Sequence, residues 1–157
     1  MEKDLEIIVT KEGFAKLKAE HEVLVGQKRK EVAEKIKSAR ELGDISENSE
    51  YDSARDEQAM VEGRIGELED ILKRVVVKGE SGHRGRNQVS IGSRVRIHLE
   101  GEDMEYEIVG ATEADPLANK ISHESPLGQA LIGRKVGDRI VVEAPVGDLT
   151  YTIIEVK

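Results

Sequence analysis

The sequence contains no cysteine, which excludes a disulfide framework and a metal site built on thiolates. It also lacks any apolar run near the roughly 20 residues that a membrane-spanning helix needs. Its amino terminus lacks the apolar run of a signal peptide. We therefore expect a soluble protein of the reducing cytoplasm that has no membrane contact.

An excess of positive charge is missing as well, because 24 lysines and arginines stand against 32 aspartates and glutamates, for a net charge of −8. Nonspecific DNA binding depends on many phosphate contacts from Lys and Arg, so this balance argues against it. The chain has 157 residues, of which 38% are hydrophobic, enough for one or two small domains with a modest core. A protein partner or a locally basic patch is compatible with this composition.

A polar segment with three glycines, "GESGHRGRN" from Gly79 to Asn87, separates two regions that have different hydrophobic periods. The first region follows the helical period and the second follows the strand period. We predict an α+β protein with an N-terminal antiparallel coiled-coil hairpin over residues 1–78, a linker over residues 79–87 and a C-terminal globular domain over residues 88–157.

The first region contains no proline, and two runs of seam residues repeat in it at spacings of three and four. These runs predict helices over residues 11–42 and 51–75. Residues paired across the two runs keep a nearly constant sum of residue numbers, as antiparallel partners should, and this places the turn between Ser46 and Glu47. The first run comprises Phe14, Leu17, His21, Leu24, Lys28, Val32, Ile36 and Ala39, and the second comprises Ala54, Gln58, Val61, Ile65, Leu68, Leu72 and Val75.

The segment from Glu41 to Glu57 forms the predicted tip of this hairpin and holds seven carboxylates and one arginine. Asp44 and Glu47 are three residues apart in a short turn, so both carboxylates can face one hard cation such as Mg²⁺. Below them, the segment from Lys28 to Arg40 holds six basic and two acidic residues, a basic collar that can hold a phosphate chain. A solvated charged turn is the alternative interpretation.

Two other interpretations of the tip are disfavoured. The alternating polar side chains from Asp44 to Glu50 resemble the start of a calcium-binding loop, but serine at the sixth position and arginine at the twelfth do not fit that loop. An independent active site is disfavoured because an exposed tip has no pocket to exclude water or orient a substrate. We therefore expect the tip to act in the active site of another protein.

The second region contains four segments in which apolar and polar residues alternate, as in strands that have one covered face. They predict an antiparallel sheet. The segment "ISHESPLGQALIG" predicts a short helix on this sheet, with Ser125 as N-cap, Pro126 at the first helical position and Gly133 at the end. The helix either covers the core, partly through Leu127, or presents a docking surface around Pro126. The four strand segments are "SRVRIHLEG", "MEYEIVG", "RIVVEAP" and "LTYTIIEVK".

Three stretches, "GDISENSEYDSARDEQ", "GRIGELEDIL" and "ISHESPLGQALIG", resemble the GreA/GreB family of bacterial transcript cleavage factors, and the resemblance covers essentially the whole chain. The family's tip usually reads Gly-Asp-Leu-Ser-Glu-Asn-Ala-Glu-Tyr. This sequence departs from that pattern at Ile45 and Ser49, and neither departure changes a carboxylate. The compact basic collar is similar to that of the family members with the smaller basic patch.

The resemblance implies a factor that inserts its coiled coil into the secondary channel of bacterial RNA polymerase, while a globular domain similar to the FKBP fold docks at the channel rim. Asp44 and Glu47 would be the catalytic and metal-binding pair, which helps to hold the second Mg²⁺ of the polymerase and orients the water that hydrolyses backtracked RNA. This Mg²⁺ would be shared with polymerase and would not bind tightly to the free protein. The chain would not be an enzyme by itself, and we expect a monomer.

Further site residues follow from the same resemblance. Arg40 and Arg55 flank the tip and match family positions that contact the nascent RNA near its 3′ end. Ion pairing on the helix surface is the alternative role of these two arginines. The implied tip-supporting residues are Ser46, Asn48 and Tyr51, and the implied polymerase-docking residues are Ser122, Ser125, Pro126 and Leu127.

Three other functions remain as alternatives. A secondary-channel inhibitor of the same fold would occupy polymerase without stimulating cleavage, and the intact pair of Asp44 and Glu47 argues against it. A structural coiled-coil adaptor would need no acidic pair at its tip. An independent nuclease would cleave free RNA without polymerase.

Overall fold

The computed structural model describes residues 5–42, 49–79 and 87–157. It divides into two compact units. One unit is Ala15–Arg74, and the other joins Met1–Phe14 to Val75–Lys157. The predicted boundaries at residues 78 and 87 stay a prediction, because residues 80–86 of the linker between them lie outside the described residues.

The helical unit is built from two long helical stretches. The first consists of helix α1 (Lys11–Val23), a π-helical turn (Leu24–Lys28) and helix α2 (Arg29–Glu41), and the second is helix α3 (Ser49–Arg74). The residues that flank the π turn keep helical backbone angles, so the chain stays helical from Lys11 to Glu41. The predicted helical hairpin is confirmed.

A largely apolar seam holds the hairpin together. Every predicted seam position is buried or half-buried. The fully buried cluster comprises Val32, Ile36, Ala54, Val61 and Ile65. Removing such side chains from water is the main favourable contribution to packing one helix on another.

Ion pairs on the helix surfaces join α2 to α3. Arg29 donates two hydrogen bonds to Glu62 over 2.7 and 2.8 Å, and Lys35 Nζ lies 2.7 Å from Glu57. Hydrogen bonds from Lys35, which has the larger effect, and from Lys28 lower the pKa of the Glu57 carboxyl. The later α2 residue pairs with the earlier α3 residue, so these opposite charges match in the antiparallel register that the seam defines.

Two short strands were not predicted from the sequence. Strand β1 (Ile7–Val9) pairs in parallel with strand β2 (Val75–Val77), so that Ile7 lies opposite Val75 and Val9 opposite Val77. Parallel strands need a long crossover, and here the whole helical hairpin is that crossover. Three residues are too few to show a period of two, which is why the pattern missed them.

The second unit contains a five-stranded sheet with the order β5-β4-β3-β7-β6. Strands β4 and β5 are parallel, while the other three neighbouring pairs are antiparallel. The elements are β3 (Arg94–Leu99), β4 (Glu102–Val109), β5 (Lys120–Ser122), helix α4 (Pro126–Leu131), β6 (Arg139–Ala144) and β7 (Gly147–Val156).

The predicted α+β class and the short helix are confirmed, but a purely antiparallel sheet is wrong. Two 3₁₀ turns, Ala111–Glu113 and Pro116–Ala118, follow β4. After them the chain forms β5, which lies beside β4 and runs in the same direction. The sheet is therefore mixed. Strand β5 has only three residues, too few for alternation to reveal it.

The core of this unit lies between the sheet and α4. Val95, Ile97, Ile108 and Ile153 of the sheet are buried together with Leu131 of α4. Alternate residues of β3 are exposed, as expected for a strand with one covered face. Among the helices that the structure describes, none is long and apolar enough to cross a membrane.

Candidate functional site

The predicted acidic pair and two of its supporting residues lie outside the described residues. These are Asp44, Ser46, Glu47 and Asn48. Within residues 5–42, 49–79 and 87–157, no group of three or more His, Asp or Glu side chains is arranged to hold a metal ion. The metal-binding role of Asp44 and Glu47 therefore stays a prediction.

The last turn of α2 and the first two turns of α3, which we call the neck of the hairpin, carry a cluster of Arg40, Tyr51 and Arg55. The guanidinium carbon of Arg40 lies 5.8 Å from the centre of the Tyr51 ring, within cation–π distance. Arg55 Nη1 donates to the Tyr51 hydroxyl over 3.5 Å. The structure thus brings three of the predicted site residues together, and we call them the arginine–tyrosine cluster.

The helix positions explain why this cluster forms. Arg40 is in the last turn of α2 and Tyr51 is in the first turn of α3, so the antiparallel hairpin places them on facing helices. Arg55 follows Tyr51 by four residues, which puts both side chains on one face of α3. Buried Ala39 and Ala54 are small seam residues beside the cluster, and small side chains shorten the distance between packed helices.

Both arginines of the cluster act on the Tyr51 phenol. Hydrogen bonding by Arg40 is the largest cause that lowers the pKa of the Tyr51 phenol, and hydrogen bonding by Arg55 and the charges of both arginines act in the same direction. Partial removal from water opposes this shift. One phenol oxygen therefore serves two guanidinium groups.

The basic collar is less free than its sequence suggests. Lys28 and Lys35 both pair with Glu57, and Arg29 pairs with Glu62. Half of the six basic residues in the collar are therefore tied to carboxylates of α3. The spacing of charges along one helix did not reveal this, because the partners come from the other helix.

The predicted docking segment forms a tightly bonded helix start. The Ser125 hydroxyl accepts a hydrogen bond from Gly128 N over 3.1 Å and donates one to the Ser122 carbonyl over 2.7 Å. The Ser122 hydroxyl accepts from Glu124 N over 3.0 Å. Ser125 is therefore the N-cap of α4, and Pro126 occupies the first helical position, both as predicted from the sequence.

The exposed part of this segment is centred on Pro126. Its side chain is exposed, whereas Leu127 is half-buried and packs against the core of the sheet. Gly128, which the sequence did not single out, is buried, and a Cβ there would overlap the Ser122 carbonyl. Hydrogen bonds hold the backbone of the segment and Pro126 is exposed, while a docking role stays a prediction.

Two family profiles match the chain. The family described as "Transcription elongation factor, N-terminal" matches residues 7–77, and the one described as "Transcription elongation factor, GreA/GreB, C-term" matches residues 84–157. The helical hairpin falls within the first match, and the five-stranded sheet falls within the second. The class is that of transcription elongation factors.

Relatives of known name cover nearly the whole chain. Transcription elongation factor GreA of Thermoanaerobacter pseudethanolicus is 53% identical over 153 residues, which is 96% of this chain and 97% of that protein. The GreA of Clostridium acetobutylicum is 48% identical over 159 aligned positions, with all of both chains covered. The chain belongs to the GreA/GreB family.

Two solved structures also match parts of the chain. The GreA factor homolog Gfh1 of Thermus thermophilus is 30% identical, and the match covers 97% of this chain and 99% of that one with a TM-score of 0.44. The GreA/GreB factor of Nitrosomonas europaea is 33% identical, with 60% of this chain and 79% of that chain covered and a TM-score of 0.44.

Proposed function

We propose that this protein inserts its helical hairpin into the secondary channel of bacterial RNA polymerase and stimulates the Mg²⁺-dependent hydrolysis of backtracked RNA. The observation that carries the proposal is the arginine–tyrosine cluster at the neck of a family-typical hairpin. Its two arginines flank, in the sequence, the segment that contains Asp44 and Glu47. Positive groups beside a carboxylate pair suit a substrate that is a phosphodiester held with a metal ion.

The chemistry of the acidic pair fits Mg²⁺, which prefers carboxylate oxygens and keeps several positions for other ligands. Two carboxylates cannot complete its shell, so the remaining ligands would come from polymerase, the RNA and water. When bound there, the ion would stabilise charge on the oxygens that attack and leave the phosphorus. Asp44 and Glu47 would hold that ion and orient the attacking water.

The arginine–tyrosine cluster would act on the RNA rather than on the metal. Guanidinium groups bind phosphate through charge-assisted hydrogen bonds. Tyr51 already fixes both Arg40 and Arg55 through its ring and hydroxyl, so they lose less side-chain freedom when RNA binds. The 3′ part of the extruded RNA is the proposed ligand of these two arginines.

The globular unit would dock the factor on polymerase. Its proposed contact is the α4 segment, where Ser122 and Ser125 fix the backbone and Pro126 is exposed. A rigid proline on a preformed loop reduces the entropy lost on binding. In this arrangement the α4 segment provides affinity and the hairpin tip provides chemistry.

The test is a stalled, backtracked polymerase complex whose RNA carries a different label at each end. The protein is expected to release a 3′ fragment in the presence of Mg²⁺ and to leave a shorter 5′ fragment that polymerase can extend. Free RNA incubated with the protein alone should remain intact. Degradation of free RNA would identify a nuclease, and tight occupancy without cleavage would identify a channel-binding inhibitor. Either result would overturn the proposal.

A further inference from the structure

Helix α1 begins with an incomplete set of capping groups from its own sequence. The Thr10 carbonyl accepts from Phe14 N over 2.9 Å, and the Thr10 hydroxyl accepts from Gly13 N over 3.0 Å, which makes Thr10 the N-cap. In a capping box, a Glu or Gln at the position of Gly13 would reach back to the backbone N–H of the N-cap. Glycine has no side chain to do so.

Glu113 supplies the missing carboxylate from 103 residues away in the sequence. Its Oε2 accepts from Thr10 N over 2.9 Å, and its Oε1 accepts from the Thr10 hydroxyl. Oε2 also accepts from Gly110 N over 3.2 Å. The capping box of α1 is thus completed by a residue from the turn that follows strand β4.

The surrounding backbone is shaped to admit this carboxylate. Gly13 is buried, and a Cβ on it would overlap the carboxylate of Glu113. A Cβ on Gly110 would overlap the carbonyl of Ile8 in strand β1. Thr10 is only 8% exposed, so the bonds form where few waters compete with them. Two glycines without side chains therefore permit this one contact.

A carboxylate is well suited to this place because the start of a helix carries partial positive charge and unpaired N–H groups. Hydrogen bonds to an ionised acceptor are stronger than those between neutral groups. Helix α1 continues without interruption from this first turn toward Val23. Whatever fixes the first turn therefore fixes the point at which the helix begins.

We propose that Glu113 is a positioning residue: by completing the capping box of helix α1, it attaches the first turn of that helix to the turn after strand β4, within the unit that contains the sheet. The consequence for activity rests on the proposed function: docking through the sheet-bearing unit would place the hairpin tip accurately only while this attachment holds. Glu113 touches neither RNA nor metal in this account, and it acts through helix α1.

The most discriminating test replaces Gly13 rather than Glu113, because the expected effect is opposite to that of Gly→Ala in an ordinary helix. In an ordinary helix, Gly→Ala stabilises the helix and slows amide exchange. Here Gly13→Ala is expected to displace the Glu113 carboxylate and to speed hydrogen exchange at the amides of residues 10 and 13 by about 3- to 30-fold, the range for a lost N-cap acceptor. The matched control is Gly63→Ala on α3, where nothing lies within 4 Å of the added Cβ, and it should slow local exchange.

Substitutions of the carboxylate and of its partner complete the series. Glu113→Ala should speed the same exchange, Glu113→Gln should do so less, and Thr10→Ser, which keeps the hydroxyl, should retain the parental rate. Glu143→Gln, at an exposed site of strand β6, is the matched charge control. If Glu113→Ala does not fold, Gly13→Ala and Glu113→Gln still decide the outcome.

The second readout is RNA cleavage with polymerase. Gly13→Ala and Glu113→Gln are expected to lower the maximal cleavage rate about threefold or more through misplacement of the tip, while the half-saturating concentration stays unchanged. If Glu113 only stabilised the fold, the variants would keep the parental maximal cleavage rate at a low temperature at which they remain folded. Slower exchange in Gly13→Ala, as in Gly63→Ala, would overturn the attachment itself, and this measurement needs no polymerase. Failure of the parent protein to stimulate cleavage would instead refute the proposed function.

Discussion

The guanidinium carbon of Arg40 lies 5.8 Å from the ring centre of Tyr51, across the two helices of the hairpin. Arg55 reaches the hydroxyl of the same tyrosine over 3.5 Å. A single side chain therefore orients two cations at the neck, next to the acidic segment. The proposed RNA contacts depend on this tyrosine as well as on the arginines themselves.

Substitution of Tyr51 separates the contribution of its ring from that of its hydroxyl. Tyr51→Phe keeps the ring that stacks with Arg40 but removes the hydroxyl that accepts from Arg40 and Arg55, whereas Tyr51→Ala removes both ring and hydroxyl. We expect the cleavage rate at saturating protein to fall in Tyr51→Ala by about two- to fivefold, the range for an exposed cation–π contact, and to fall less in Tyr51→Phe. Binding to polymerase should persist in both. Equal rates for all three proteins would refute the orienting role.

The ionisation of Tyr51 reports the same contacts. Because Arg40 and Arg55 lower its pKa, the phenol should titrate below the ordinary value of about 10, as followed by NMR of labelled tyrosine. Arg40→Ala should raise the pKa more than Arg55→Ala, since Arg40 is the larger cause. Arg29→Ala, whose partner is Glu62, should leave it unchanged.

The sign of this shift also predicts its effect on stability. A phenol whose pKa is lower in the folded state adds stability above the unfolded pKa of about 10 and loses it as the pH falls through the folded value. Denaturation at neutral pH should therefore not detect the phenol's ionisation. A pH-dependent stability difference between the parent and Tyr51→Phe near pH 7 would contradict this assignment.

If α4 docks on polymerase, a change in it should alter the factor concentration needed for half-maximal cleavage and leave the maximal cleavage rate unchanged. Pro126→Ala should weaken polymerase binding because it loosens an exposed, preformed loop, while the cleavage rate at saturating protein stays parental. Titration of cleavage against factor concentration separates the two quantities. The control is Pro145→Ala, which changes an exposed proline in the turn between β6 and β7. Identical half-saturating concentrations for parent and Pro126→Ala would contradict the docking role and leave α4 only the role of covering the core.

The hairpin could be predicted because its signal is repeated along both helices. Seam residues such as Val32 and Ile65 recur every three or four positions, so each turn supports the same assignment. The four longer strands likewise alternate over enough residues to show their period. Ser125 and Pro126 were assigned correctly because N-caps and first helical positions have strong local preferences.

The features that were missed depend on contacts between distant residues. Strands β1, β2 and β5 have three residues each, and β1 pairs with a strand that lies on the far side of the helical hairpin in the sequence. The bond between Glu113 and Thr10 joins residues 103 positions apart. The pairing of Lys35 with Glu57 depends on the register of two helices. One-dimensional periodicity contains no information about which distant side chains meet.

We propose that the acidic tip completes a metal site in the polymerase. The most direct test is the cleavage rate of Asp44→Asn, measured at saturating protein on a backtracked complex. Asparagine keeps the size of the side chain but removes the charge that Mg²⁺ demands. The control is Glu22→Gln, at an exposed position of α1, which should leave the rate unchanged.

Asp44→Asn is expected to bind polymerase and to compete with the parent protein, while its cleavage rate falls by roughly 10²-fold or more, equivalent to about 2.7 to 4 kcal/mol for a lost preorganised charge contact. Higher Mg²⁺ concentration should restore part of the rate. Cleavage at the parental rate by bound Asp44→Asn would contradict the claim, and the tip would then be a solvated turn.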